Sequence, residues 1–475
     1  MKKEFLWGGS ISASQAEGAF DLYEKGISTE DLRFYNEKID RKNVSKDLYM
    51  TPEKLKEIID NQDDYFFPKR RGIDFFNKYE EDIKLFKELG INVLRTSIAW
   101  TRLFPNGDEN EANIDAINHY KKIFEVFKKN KIKLILSISH LEMPINLITK
   151  YGGWKNKKLI NFYFNFAKTV IDNFNVYTDQ WIPFNELNHS TFFTLGLFEN
   201  EENYLEKTYQ AFHNQFVAAC KAIEYGKKQN RNNLFGTMIG YMYSYPKTSD
   251  PRNVYKCMND NWIKNDFFLD IMIKGEYPWY SKKYFLDNKI DIKATKKELA
   301  LIKNNVHDFI SFSYYSTGTT SHQNAEETSG NLFSVGKNEY LDVNEWGWQI
   351  DPMGLRIVLN NLYEKYKKPL MITENGIGLI DEVDNQGNII DDARINYISE
   401  HILAMKEAIN DGVEVIGYLM WSPIDVVSYS SQEMSKRYGF IYVDANDLGQ
   451  GTYDRIKKKS FYWFKDFLEK ERMNN

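Results

Sequence analysis

Two glutamates stand where packing alone explains an acid poorly. Glu374 follows a short apolar run in PLMITENGIG (residues 369–378), and Glu186 ends the segment Trp181-Ile182-Pro183-Phe184-Asn185-Glu186. Unbroken apolar runs read as buried parallel strands, and Asn-Gly is a turn signal, so each carboxylate marks the point where a strand gives way to a loop. Glu is rarely buried without a partner, so such a residue either faces solvent or does chemistry. Two carboxylates projecting into one pocket suit cleavage of a glycosidic bond. One protonates the leaving oxygen; the other attacks the anomeric carbon and is later released by water. This double displacement retains configuration and sets the carboxyls about 5 to 5.5 Å apart. The roles demand opposite charge states at one pH. Glu186 is expected to have its pKa raised by burial and by its negative neighbour, and Glu374 to stay ionised, with Arg95 as the candidate cation. Asn185, beside the acid, can offer its amide to a sugar hydroxyl.

The elements that must position these groups follow an alternating pattern. Strand-like segments occur at residues 5–9, 91–100, 132–140, 181–186, 234–245 and 308–315, in the run leading to Glu374, and at 415–421. Helical spacing lies between them. The clearest case is 74–89, where Phe75, Phe76, Tyr79, Ile83, Phe86 and Leu89 precede a terminating Gly90. Further helical stretches cover 114–129, 158–174, 205–228, 262–274, 297–303, 353–366, 394–410 and 460–470. Alternation of strand and helix implies a parallel sheet, and eight such units favour a single closed (β/α)₈ barrel over residues 1–475. The excess length falls in segments after strands, at 21–72, 187–204, 246–260 and 316–350, which are expected to form long loops at the C-terminal face. Ligands are handled at that face. Gln15, Arg95, Trp100, His140, Asn185, Glu186, Tyr314, Tyr315, Glu374 and Trp421 all fall on strands or at their C-terminal ends, and together they describe a site.

Composition narrows the classes. The chain has 475 residues, 42% hydrophobic, 15% aromatic and 27% charged, with a net charge of −5. That balance offers no field for nucleic acid or an anionic membrane. No run of about 18 apolar residues predicts a membrane span. FLWGGSISASQA after Lys2-Lys3 resembles a signal peptide, but its apolar part is short and broken by Gly8, Gly9 and Ser10. Cys220 and Cys257 form no ligand or disulfide pattern and read as free thiols. A cytoplasmic location is expected. The seven histidines show no H-E-x-x-H or similar spacing, so no metal and no cofactor are expected. Oligomeric state is left open.

The motifs in their order resemble glycoside hydrolase family 1, and most closely its 6-phospho-β-glucosidase branch. The similarity runs from FLWGGSISASQAEGAF (residues 5–20) through LRTSIAWTRLFPNG, FNE and ITENG to WSPIDVVSYSSQEMSKRYGFIYVD (residues 421–444). The resemblance implies Glu186 as acid/base and Glu374 as nucleophile. It places Gln15, His140, Asn185 and Trp421 around the cleaved sugar, Tyr314 as the residue orienting the nucleophile, and Trp346 as a stacking surface for the aglycone. The third-strand motif departs from the family, reading HLEMP.

The segment after the eighth strand separates the branches. Family members acting on free sugars resemble WSxxDNFEW there, with a Glu gripping neutral hydroxyls; here that position is Ser428. A carboxylate would repel a sugar phosphate, whereas serine hydroxyls and a cation would bind it. Lys436 and Tyr438 supply the cation and a phenol, with Ser428 or Ser430 as the serine. The implied substrate is a small phosphorylated disaccharide or an aryl 6-phospho-β-glucoside. Three alternatives remain: an enzyme for unphosphorylated β-glucosides, a 6-phospho-β-galactosidase, where Tyr429 could touch the sugar O4, and a non-catalytic phospho-sugar-binding barrel.

Overall fold

The computed structural model describes residues 4–44, 50–189, 195–198, 202–330 and 333–473. The parallel strands are β1 (Leu6–Ser10), β2 (Val93–Ser97), β3 (Lys133–Ser139), β4 (Gln180–Phe184), β5 in two pieces (Leu234–Phe235 and Ile239–Gly240), β6 (Ile310–Ser313), β7 (Leu370–Asn375) and β8 (Val415–Trp421). Their order runs β4-β3-β2-β1-β8-β7-β6. The first piece of β5 pairs with β4 and the second with β6, which closes the barrel. Between the pieces, a Gly236–Phe309 bridge and the Thr237 amide, bonded to the Phe309 carbonyl at 3.1 Å, continue the backbone pairing, and side-chain bonds add to it: Thr237 Oγ1 donates to the Ser311 carbonyl and accepts the Ser311 amide, each at 3.1 Å.

The barrel interior follows from strand alternation. Leu6, Val93, Ile135, Ile182, Met238, Phe309, Met371 and Leu419, one from each strand position, form a separate buried cluster that plugs the barrel. Their neighbours in sequence, among them Leu94, Leu134, Leu136, Phe312, Ile372 and Tyr418, belong to the larger core shared with the helices. Each such buried side chain contributes about 1.5–3 kcal/mol relative to exposure. Two residues further along the same faces come Arg95, Ser137, Ser311 and Trp421, where the apolar plug gives way to a polar mouth.

The helices have local reasons for their bounds. Helix α1 (Phe75–Leu89) ends on Gly90, whose φ of 93° lets its amide reach the Phe86 and Lys87 carbonyls. Helix α2 (Ile114–Lys129) is capped by Asn113, whose side chain accepts from the Asp115 and Ala116 amides. Two of the expected loops carry structure of their own. Pro251–Asn261 is a helix, started by the Asp250 cap and Pro251 at its first turn. Segment 316–350 contributes Gly318–Thr320, Glu327–Ser329 and Ser334–Gly336 to a small sheet with Ser244–Pro246. The loop after β4 falls partly outside the described residues. Among those described, no helix is long and apolar enough to cross a membrane.

Candidate active site

At the C-terminal mouth, Gln15, His140, Leu141, Glu186, Tyr315, Trp348, Glu374, Trp421, Tyr429, Ser430 and Tyr438 line one pocket of about 390 Å³, including its open entrance. Both glutamates therefore face the same space. Glu186 sits at the turn out of β4 with a left-handed φ of 38°, a conformation that non-glycine residues hold only where surroundings impose it. Glu374 arrives by an irregularity. The pairing of β7 with both neighbours shifts register between Ile372 and Glu374 or Asn375, and without that bulge Glu374 would point to the helices.

Arg95 ties the two halves together. Its Nη1 donates to Glu374 Oε1 at 2.5 Å, its Nη2 to the Asn185 side-chain carbonyl, and its Nε to Ser137 Oγ at 2.9 Å. The second Glu374 oxygen accepts the Tyr315 hydroxyl at 2.8 Å. Among the described residues the Glu186 carboxylate accepts one hydrogen bond, from the Ser313 hydroxyl, with the His189 ring 3.9 Å away. Burial raises both carboxyls, Glu374 to about 7 with the Glu186 charge adding to it and Arg95 opposing, and Glu186 in the same direction. The two titrate as one system. Where the shared proton rests is decided by the donors around each acid. Glu374 has a guanidinium and a phenol that favour its anion, so the proton belongs on Glu186. His140 stacks on Trp421 with centroids 5.9 Å apart, and burial, together with the Arg95 and Lys69 charges, keeps its imidazole neutral. Gln15 is fixed by Ser12 Oγ and by the Val427 carbonyl, to which it donates at 2.7 Å.

Three assignments are corrected. The Tyr314 backbone N–H bonds the Glu374 carbonyl at 2.9 Å, but its side chain turns away from the Glu374 carboxylate: its hydroxyl donates to the Asp351 carbonyl at 2.6 Å, and its ring lies 5.9 Å from His401 in helix α3 (Asp392–Asn410). Alternation along β6 turns Ile310, Phe312 and Tyr314 outward and Ser311, Ser313 and Tyr315 inward, so it is Tyr315 whose hydroxyl reaches the Glu374 carboxylate. Trp346 is fully buried, donating its indole N–H to Glu433 Oε2 at 3.0 Å, and Trp348 lines the pocket instead. Gly347, at φ 78°, turns the chain between them. Trp100 likewise leaves the mouth and stacks on Phe166, 5.1 Å away.

The residues expected around a phosphate divide into a wall and a layer behind it. Ser430 and Tyr438 line the pocket, while Ser428 and Lys436 are fully buried. Ser428 hydrogen-bonds Tyr438. Lys436 Nζ lies 4.2 Å from the Trp348 ring centroid, 5.1 Å from Trp346 and 5.8 Å from Tyr438, and has no hydrogen-bond partner among the described residues. Burial lowers its pKa to about 7, with Glu433 opposing and Arg41 reinforcing the shift. Gly378 makes room for its stem, since a Cβ there would meet Lys436 Cγ at 2.7 Å. Tyr429, also in the wall, donates to Glu30 Oε1 at 3.1 Å, with the Lys69 ammonium 4.3 Å from its ring centroid.

The chain is similar to known proteins along almost its whole length. A family model described as glycosyl hydrolase family 1 matches residues 1–473. The aryl-phospho-β-D-glucosidase BglH of Bacillus subtilis is 45% identical over 470 residues, covering 98% of this chain and 96% of its own. The 6-phospho-β-glucosidase AscB of Escherichia coli is 42% identical, covering 98% and 97%. Among solved structures, the GH1 β-glucosidase of Exiguobacterium antarcticum B7 matches with a TM-score of 0.83 at 25% identity, over 100% of this chain and 99% of that one. The barrel, the paired acids at its mouth and a match along almost the whole sequence lead to one conclusion: the chain belongs to glycosyl hydrolase family 1.

Proposed function

We propose that this enzyme hydrolyses 6-phospho-β-D-glucosides with retention of configuration, releasing glucose 6-phosphate. The observation that carries the phosphate preference is Lys436, a buried ammonium held in a cage of aromatic rings with no hydrogen-bond acceptor among the described residues. An unpaired buried charge is costly, and an incoming dianion would supply the missing partner. Ser428, standing where a free-sugar enzyme would carry Glu, removes the charge that would repel it. The names of the relatives at 42–45% identity support the same substrate class.

In the first step Glu374, oriented by Arg95 and Tyr315, attacks the anomeric carbon. Glu186 gives its proton to the departing oxygen, and a glycosyl-enzyme ester forms. Loss of the Glu374 charge then lowers the Glu186 pKa, since one of the factors raising it has gone. Glu186, now ionised, takes a proton from water as that water attacks the same carbon, which regenerates both acids. Asn185, bonded to Arg95, keeps its amide N–H groups for the sugar. Protons and a carboxylate suffice, so no cofactor is invoked. A charged sugar phosphate does not cross a bilayer unaided, which supports a cytoplasmic location for the enzyme, where phosphorylating uptake would deliver its substrate.

The test is incubation with cellobiose-6-phosphate and an aryl 6-phospho-β-glucoside, followed by enzymatic assay of glucose 6-phosphate and NMR of the first-formed anomer. The β-anomer of glucose 6-phosphate is expected. Binding without release, or an α-anomer first, would overturn the reading.

A further inference from the structure

Among the described residues Lys436 has no hydrogen-bond partner, although a carboxylate stands nearby. Glu433 is almost fully buried, close enough to act on the Lys436 charge, yet it forms no ion pair with it. Its charge is engaged elsewhere. Arg41, on the segment after β1, places Nε and Nη2 each 2.7 Å from Glu433 Oε1. The other oxygen accepts the Trp346 indole at 3.0 Å. The Arg41 guanidinium carbon also lies 5.1 Å from the Trp346 ring centroid, the same distance as Lys436 Nζ. Arg41, Glu433, Trp346 and Lys436 thus form one connected group, of which the Arg41 side chain alone is substantially exposed, at 38%.

A buried lysine beside an unengaged glutamate would pair with it, because each would otherwise be a desolvated charge. Such a pair would be an internal competitor for phosphate. We propose that Arg41 is a specificity-determining positioning residue: by neutralising Glu433 it holds that carboxylate off Lys436 and keeps the ammonium free for the 6-phosphate. The inference rests on the reading of Lys436 as the phosphate cation. It adds that selectivity depends on a residue outside the pocket, acting through a carboxylate that never touches substrate.

The test is the ratio of kcat/KM for an aryl 6-phospho-β-glucoside over the unphosphorylated glucoside in Arg41→Met, Arg41→Lys, Glu433→Gln and the Arg41→Met/Glu433→Gln double variant, with Lys436→Ala in parallel. Glu433→Gln keeps an acceptor for the Trp346 indole while removing the charge. Arg41→Met is expected to lower the ratio about tenfold or more, through KM for the phosphorylated substrate, because the freed carboxylate captures Lys436. The double variant should recover most of that loss, and Arg41→Lys, which keeps the charge without the fork, should fall between. A purely structural role for Arg41 would not be rescued by a second substitution. An Arg41→Met ratio within twofold of wild type, or a double variant no better than Arg41→Met, overturns the inference. If Arg41→Met does not fold, Glu433→Gln decides: a wild-type or higher ratio supports the competitor role and a lower one overturns it. An unchanged ratio in Lys436→Ala removes the phosphate reading itself. A fall there with none in Arg41→Met removes only the role of Arg41.

Discussion

The Tyr315 hydroxyl donates to Glu374 Oε2 at 2.8 Å, while its sequence neighbour Tyr314 faces the opposite side of β6 and bonds the Asp351 carbonyl. Two adjacent phenols therefore do unrelated work, and phenylalanine substitutions separate them. Tyr315→Phe removes a donor to a carboxylate and should lower kcat by about 10- to 100-fold, the equivalent of about 1.5–3 kcal/mol. Tyr314→Phe should leave kcat within about twofold and cost about 0.5–1.5 kcal/mol of folding stability. Steady-state kinetics and thermal unfolding of both variants check the pair.

The two acids should fail in different ways. Glu374→Gln removes the nucleophile and should lower turnover of every substrate by several orders of magnitude. Glu186→Gln should cost about 10²- to 10⁴-fold with a poor leaving group. With a dinitrophenolate leaving group, which needs no proton, its first step should persist and a glycosyl-enzyme should accumulate as a burst. Pre-steady-state release of dinitrophenolate followed by intact mass measurement tests this. Equal loss with both leaving groups would exchange or cancel the roles.

Phosphate preference should depend on pH with a defined sign. Burial sets the free Lys436 pKa at about 7, and its protonated form is the one that pairs with an anion. The contribution is complete below that value and is lost as pH rises through it. The substrate phosphate gains its second charge near pH 6, about one unit lower. The kcat/KM ratio of phosphorylated to unphosphorylated substrate should therefore decline above about pH 7 in the wild type and stay flat there in Lys436→Ala. A wild-type ratio constant from pH 6 to 9 would contradict this.

Gly378 offers a steric route to the same group. A methyl at that position would stand 2.7 Å from Lys436 Cγ and 2.8 Å from Cε, so Gly378→Ala must displace the lysine stem. KM for the phosphorylated substrate should rise, while the anomeric chemistry at Glu374 is unaffected. The KM-against-kcat split, read with both substrates, tests this.

The barrel was legible because its strands are apolar and its helices periodic, and a single residue type at each strand end located the acids. Tyr315 was legible too. The alternation of Ile310, Phe312 and Tyr314 with Ser311 and Ser313 already assigns the faces of β6, and only the resemblance pointed to the wrong tyrosine. Other features had no sequence signal. The bulge that turns Glu374 into the mouth depends on the pairing of β7 with both neighbours. The break in β5 lies where Thr237 bonds Ser311 on β6 through its side chain, and the helix at Pro251–Asn261, whose start Asp250-Pro251 marks, buries Asn253 and Cys257 while leaving Val254, Tyr255 and Met258 exposed, so its apolar residues do not announce a core-facing helix. The link from Arg41 to Glu433 joins residues nearly four hundred positions apart, which local pattern cannot reveal.

The most direct measurement compares kcat/KM for an aryl β-glucoside and its 6-phosphate, in wild type and Lys436→Ala. The wild type should strongly favour the phosphorylated substrate, and the alanine variant should lose about 1.5–3 kcal/mol of that preference, the range for a hydrogen bond to a charged group. A wild type that turns over both substrates equally, or a preference that survives loss of Lys436 intact, would contradict the assignment of this pocket to sugar phosphates.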